Sequence, residues 1–156
     1  MQILAEKVFE LFLRRGMTLS TAESCTGGLL AAEITRIPGV SDVFLGGVVS
    51  YSNDAKRDVL KVPEDVLNEK GVVSEEVAKL MAEGVRRLFG ADVGVGISGI
   101  AGPSGGSPAK PVGLVYCHIQ GPDRGETLRF NFFGSRQEIQ TKAAQATLEE
   151  LIKFMS

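Results

Sequence analysis

The spacing of apolar residues in this chain switches repeatedly between a helical repeat and a strand repeat, and that switching leaves few folds open. Residues 1–15 carry Leu4, Val8, Leu11 and Phe12 at helical spacing, with Gly16 as a stop. Thr18 to Ala22 reads as a short strand. A turn then leads into a helix through Leu29, Leu30, Ala32 and Ile34 that ends near Pro38-Gly39. Val43 to Tyr51 is apolar and β-rich, the pattern of a buried strand. Ser52-Asn53-Asp54 supplies caps for a short helix holding Lys56 and Leu60, and Pro63 opens another. Ser74-Glu75-Glu76 starts a strong helix that runs towards Gly90. Ala91 to Ile97 is a strand of small residues. Val112–Gln120 and Thr127–Phe133 are two more strands, separated by the turn Gly121–Gly125. Ser135-Arg136-Gln137-Glu138 fits a capping box at the head of the last helix. The order α β α β α α α β β β α predicts one three-layer α/β/α domain with a mixed sheet over residues 1–156.

Composition narrows the function classes. With 17 Lys+Arg against 19 Asp+Glu the net charge is −2. Interspersed signs of that balance argue against direct nucleic-acid binding, which needs a basic face. No apolar run reaches the ~20 residues of a membrane span. The opening residues Met1 to Lys7 include an early acid and no apolar core, so they do not read as a signal peptide. Two cysteines, Cys25 and Cys117, make no disulfide framework, which points to the cytoplasm. One His and two Cys leave no basis for a structural zinc site.

Three segments put polar groups where a strand ends, the place where open α/β sheets line a ligand crevice. In Ala22-Glu23-Ser24-Cys25-Thr26-Gly27-Gly28, a strand-to-helix turn leaves backbone N–H groups near a hydroxyl and a thiol. Ser24 there fits a nucleophile beside oxyanion donors; equally, Ser24 or Thr26 fits a plain helix cap. In Tyr51-Ser52-Asn53-Asp54-Ala55-Lys56, a Tyr at a strand end and a Lys one turn into a helix suit a proton relay and a general base, or a packed Tyr and a solvated Lys. Ser98 to Pro111 is dense in Gly and Pro, and the glycines allow close backbone approach to a ligand phosphate. His118 reads as a partnered structural His rather than a base, and Cys25 as a small buried residue rather than a nucleophile. Arg136 sits in a first turn, where a cation is disfavoured unless it meets an anion.

Taken together, these segments resemble the CinA C-terminal domain family, the bacterial nicotinamide mononucleotide deamidases. The matching stretches are Thr21–Gly28, then Gly47–Asn53 with Lys56, then Ser98–Pro103 continuing through Lys110–Gly113. The resemblance implies an α/β/α fold. It also implies hydrolysis of the carboxamide of nicotinamide mononucleotide to nicotinate mononucleotide and ammonia, without metal or cofactor. It carries Ser24 over as nucleophile, Lys56 as base and Tyr51 as assistant. Substrate binding falls to Thr26, Gly27, Ser98, Gly99, Gly102, Gly105, Gly106 and Arg136. Many relatives have Thr where this chain has Ser98; the hydroxyl survives.

This reading sets geometric expectations. A free lysine titrates near ~10.4, so Lys56 must be desolvated and in positive potential, for which the helix N-terminus after Ser24 is the source. Asp54 and Asp58 should turn away from Lys56, and its nitrogen should lie within hydrogen-bond reach of Ser24 Oγ. N–H groups at the start of the Thr26–Ile34 helix would hold the oxyanion, and the Gly-rich loop would hold the phosphate. Alternatives of other classes are a non-catalytic nucleotide or phosphate sensor in the same pocket, and an interaction module in DNA uptake or damage response. The expected partner is a small nucleotide, and a homodimer is the expected assembly.

Overall fold

Three serines set helix starts, and each does so through its hydroxyl. Ser52 Oγ accepts from Ala55 N at 3.0 Å, and Ser74 Oγ accepts from Val77 N at 3.2 Å. Ser135 Oγ accepts from Glu138 N at 3.2 Å while the Glu138 carboxylate accepts from Ser135 N at 3.3 Å, which completes the capping box. The computed structural model describes residues 1–156. Its elements run α1 (Gln2–Arg15), β1 (Leu19–Glu23), α2 (Leu29–Thr35), β2 (Phe44–Val49), α3 (Asn53–Asp58), α4 (Glu64–Lys70), α5 (Glu75–Phe89), β3 (Val93–Gly99), β4 (Leu114–Gln120), β5 (Gly125–Asn131) and α6 (Arg136–Met155). One 3-10 turn, Val40–Asp42, precedes β2.

The five strands form one mixed sheet in the order β2-β1-β3-β4-β5. β1 runs parallel to β2 and β3, while β4 and β5 add antiparallel to that core. Helices α1, α2 and α6 pack together on one face, where residues such as Phe12, Leu30, Leu148 and Leu151 bury against Val95, Ile97 and Ile119. Helix α5 covers the other face. The small residues of β3 explain how closely it does so. A Cβ at Gly96 would stand 2.2 Å from Ala78 O, and one at Gly94 would stand 2.3 Å from Ala82 O. Only glycine lets the helix backbone sit this near the sheet.

One strand departs from expectation. β2 is apolar but is an edge strand, not a buried one: Leu45 and Val49 are 41% and 50% exposed. Apolar content marks a strand, whereas its place in the sheet is fixed by the crossovers. The chain leaves β1 through α2 to reach β2 on one side. It then returns through α3, α4 and α5 to β3 on the other side. The carboxyl end of β1 is therefore a topological switch point, where a crevice opens between diverging connections. All three polar segments meet there.

Candidate active site

Ser24 follows the last residue of β1, which lies between β2 and β3. Its N–H still pairs with Ile97 O at 3.1 Å, so the sheet itself fixes where its side chain starts. Beyond it the chain turns sharply, with Gly27 and Gly28 at φ of 62° and 99°. These two residues carry the turn as far as Leu29, where α2 begins.

Lys56 comes from α3, held in place by the Ser52 cap. It is fully buried, and Ser24 is 8% exposed. Lys56 Nζ donates to Ser24 Oγ at 2.9 Å, to Ser50 O at 2.6 Å and to Tyr51 O at 3.3 Å. Asp54 and Asp58 point away, towards Arg57, at 3.3 and 2.9 Å. Burial, with the Cys25 thiol opposing it, lowers the lysine from 10.5 to about 8. The helix dipole expected to do this has another partner. The N–H groups of Leu30 and Ala31, at the head of α2, donate to the buried carboxylate of Glu23 at 2.9 and 3.0 Å. The same donors are therefore closed to an oxyanion. Cys25 N–H and Thr26 N–H, by contrast, make no hydrogen bond to a backbone carbonyl. The Cys25 thiol is pushed up to about 12 by burial, which keeps it protonated and a poor nucleophile.

Ser24, Cys25, Tyr51, Asn53, Lys56, Val72, Val73, Ser98, Gly99, Ala101 and Arg136 line a cleft of about 240 Å³. Its two charged side chains are both cations, and no carboxylate lines it. Arg136, the cation in the first turn of α6, meets neutral oxygens and no anion within the protein. Its Nη1 donates to Gly102 O at 2.7 Å and its Nη2 to the Tyr51 hydroxyl at 2.6 Å. It thus ties the Gly-rich loop and the end of β2 to the start of α6.

Several expected residues meet the site indirectly. The Tyr51 hydroxyl bonds to Arg136, and it is the Tyr51 carbonyl that reaches Lys56. Ser98 Oγ donates to Val72 O at 2.6 Å and so braces the Val72–Val73 wall of the cleft. Thr26 Oγ1 donates to Glu23 at 2.7 Å. Gly27, Gly105 and Gly106 are exposed and do not line the cleft; Gly102 borders it through its carbonyl contact with Arg136. His118 lies elsewhere, on β4, where its ring nitrogens face Thr127 and Gln120.

Sequence reasoning missed Glu23 and Gln140. Glu23 closes the strand that feeds the Ser24 turn, and Gln140 Nε2 donates to Cys25 O at 2.9 Å from α6. A signal existed for Glu23: α2 has no acid in its first turn and no side-chain cap, so its donors had to find an acceptor elsewhere.

Comparison with known proteins places this geometry in a family. The CinA C-terminal domain matches residues 1–155. A CinA-like protein of Thermotoga maritima is 51% identical over 150 residues, which is 96% of this chain and 36% of that relative. The chain thus spans about a third of the length of the curated relatives it matches. The crystal structure of competence/damage inducible protein CihA from Agrobacterium tumefaciens superposes with a TM-score of 0.96 at 39% identity, covering 99% of this chain and 95% of that one. A competence-damaged protein (CinA) superfamily member from Klebsiella pneumoniae gives 0.95 at 35% identity, covering 99% and 96%.

Proposed function

The chain belongs to the CinA C-terminal domain family, and from that premise we propose that it is an amidohydrolase converting nicotinamide mononucleotide to nicotinate mononucleotide and ammonia. The observation that carries this reading is the buried Lys56 Nζ at 2.9 Å from Ser24 Oγ, joined from segments 32 residues apart. A buried lysine without a carboxylate partner is costly to keep charged. That cost is what makes it a base.

The hydrogen bonds support one route for the proton. A neutral lysine has two N–H donors and one lone pair. Two donors satisfy Ser50 O and Tyr51 O, which leaves the lone pair aimed at the Ser24 hydroxyl. At pH 7 a group titrating at about 8 is roughly one-tenth neutral. Lys56 takes the proton as Ser24 Oγ bonds to the amide carbon. The amide oxygen becomes an oxyanion, for which Cys25 N–H and Thr26 N–H are the open donors, each worth about 3 kcal/mol if aligned. The carbon–nitrogen bond breaks, and Lys56 returns its proton to the departing ammonia. Water, deprotonated in turn by Lys56, then adds to the ester carbon; as the bond to Ser24 Oγ breaks, Lys56 returns that proton to Ser24 and the acid leaves as its carboxylate. Arg136 at the mouth supplies charge for the phosphate.

A test compares ammonia release from nicotinamide mononucleotide, nicotinamide riboside and free nicotinamide. The proposal expects the mononucleotide to be the best substrate by kcat/KM, by at least tenfold. No ammonia from any of the three rules the assignment out.

A further inference from the structure

We infer that Glu23 is a positioning residue for the reaction: its buried carboxylate holds the 24–29 turn in the shape that keeps Ser24 on Lys56 and leaves the Cys25 and Thr26 N–H groups open. The inference rests on the Ser24 and Lys56 chemistry just proposed, but not on which amide is cleaved.

Glu23 is 1% exposed. A carboxylate so placed needs a cation or several donors. All three of its partners are neutral: Thr26 Oγ1 and Leu30 N on Oε1, and Ala31 N on Oε2. Each lies beyond Ser24 in sequence, at three, seven and eight residues from Glu23. The carboxylate therefore pulls both ends of the turn onto the stub of β1, and Ser24 is the first residue of the loop so closed. The Glu23 carbonyl meanwhile accepts from Ser50 N at 2.9 Å. Ser50 O is the nearest acceptor of Lys56. One residue thus locates both halves of the pair, the nucleophile by its side chain and the base's carbonyl bracket by its backbone. The same carboxylate takes the donors of the α2 terminus out of use, so an incoming oxyanion has only the turn itself to bind.

Glu23→Gln tests this. An amide keeps size but faces an N–H donor with an NH2, which breaks at least one of the three bonds. The variant, the wild type and Thr26→Val are compared in two assays. One is ammonia release from nicotinamide mononucleotide; the other is the rate of covalent labelling of Ser24 by a small alkyl fluorophosphonate. Glu23→Gln is expected to lose at least tenfold in kcat and in labelling rate, with KM within about twofold and the pH midpoint near 8 retained. A purely structural role would lower the melting temperature and leave both rates per folded molecule intact; that result overturns the inference. If Glu23→Gln does not fold, Thr26→Val decides. Slowed labelling there supports the inference, and a wild-type rate overturns it. A wild type that labels at Ser24 but does not hydrolyse the mononucleotide removes the substrate assignment, and the labelling rates still judge Glu23. A wild type that does not label at all removes the Ser24 chemistry and this inference with it.

Discussion

The pH dependence of turnover follows from one buried amine. In water a lysine titrates near 10.5, and burial in this cleft brings Lys56 to about 8. At 1.36 kcal/mol per pH unit that is about 3 kcal/mol against the charged form. The neutral fraction at pH 7 rises from roughly one in 3,000 to roughly one in ten, a gain of about 300-fold in neutral amine. The assay is kcat/KM for ammonia release between pH 6.5 and 9.5 at constant ionic strength, which reports groups of the free enzyme and free substrate. The second ionisation of a phosphate monoester lies near ~6 and falls below this window. The expected profile climbs about tenfold per pH unit below 8 and flattens above it. A profile still climbing without a bend at pH 9.5 would mean that burial does not make Lys56 a usable base. A flat profile from pH 6.5 upward would mean that another group takes the Ser24 proton.

Three further outcomes are expected. The folded state gives up the Lys56 proton at about 8 and the unfolded chain at about 10.5, so the unfolded chain holds more protons in between, and this group's contribution to stability rises with pH. Denaturant titrations at pH 8 and pH 10 should show the wild type gaining roughly 2 kcal/mol relative to Lys56→Met; no difference between the two proteins refutes the assigned shift. Gly96→Ala drives a methyl to within 2.2 Å of Ala78 O and must lift α5 from the sheet. It should cost about 2–3 kcal/mol, or roughly 5–10 °C in a thermal melt, and an unchanged melting temperature contradicts the packing described. Arg136→Met removes the cation at the cleft mouth and should raise KM for the mononucleotide about tenfold or more. KM for the phosphate-free riboside should move far less, and equal effects on both would separate Arg136 from phosphate recognition.

The order of helices and strands was legible because each element carries its own punctuation. Ser52, Ser74 and Ser135 cap helices from within their own sequence, and the period of the apolar residues does the rest. The pairing of Ser24 with Lys56 was implied by the resemblance to the CinA C-terminal domain family; the residues alone said only that both segments follow strands, whose ends converge in a doubly wound sheet. What stayed hidden depends on contacts between distant segments. Nothing in Phe44–Val49 says that β2 is an edge, since that is decided by where α5 returns the chain. Glu23 reads as one more polar turn residue until Leu30 and Ala31 are seen to donate to it. Tyr51 and Arg136 were each picked out alone, whereas their hydrogen bond to one another crosses 85 residues of sequence. The glycines of the 98–111 segment signalled a loop correctly, yet only Gly99 among Gly99, Gly105 and Gly106 lines the cleft, because hydrogen bonds between Ser107 and Lys110 form the loop's outer end.

The hydroxyl of Ser24 either forms the bond to the amide carbon or it does not, and ammonia release by Ser24→Ala decides which. With a wild-type melting temperature confirming the fold, that variant should fall at least about a thousandfold, towards background. Turnover kept in Ser24→Ala and lost in Cys25→Ala would instead hand the reaction to the neighbouring thiol and overturn the serine mechanism.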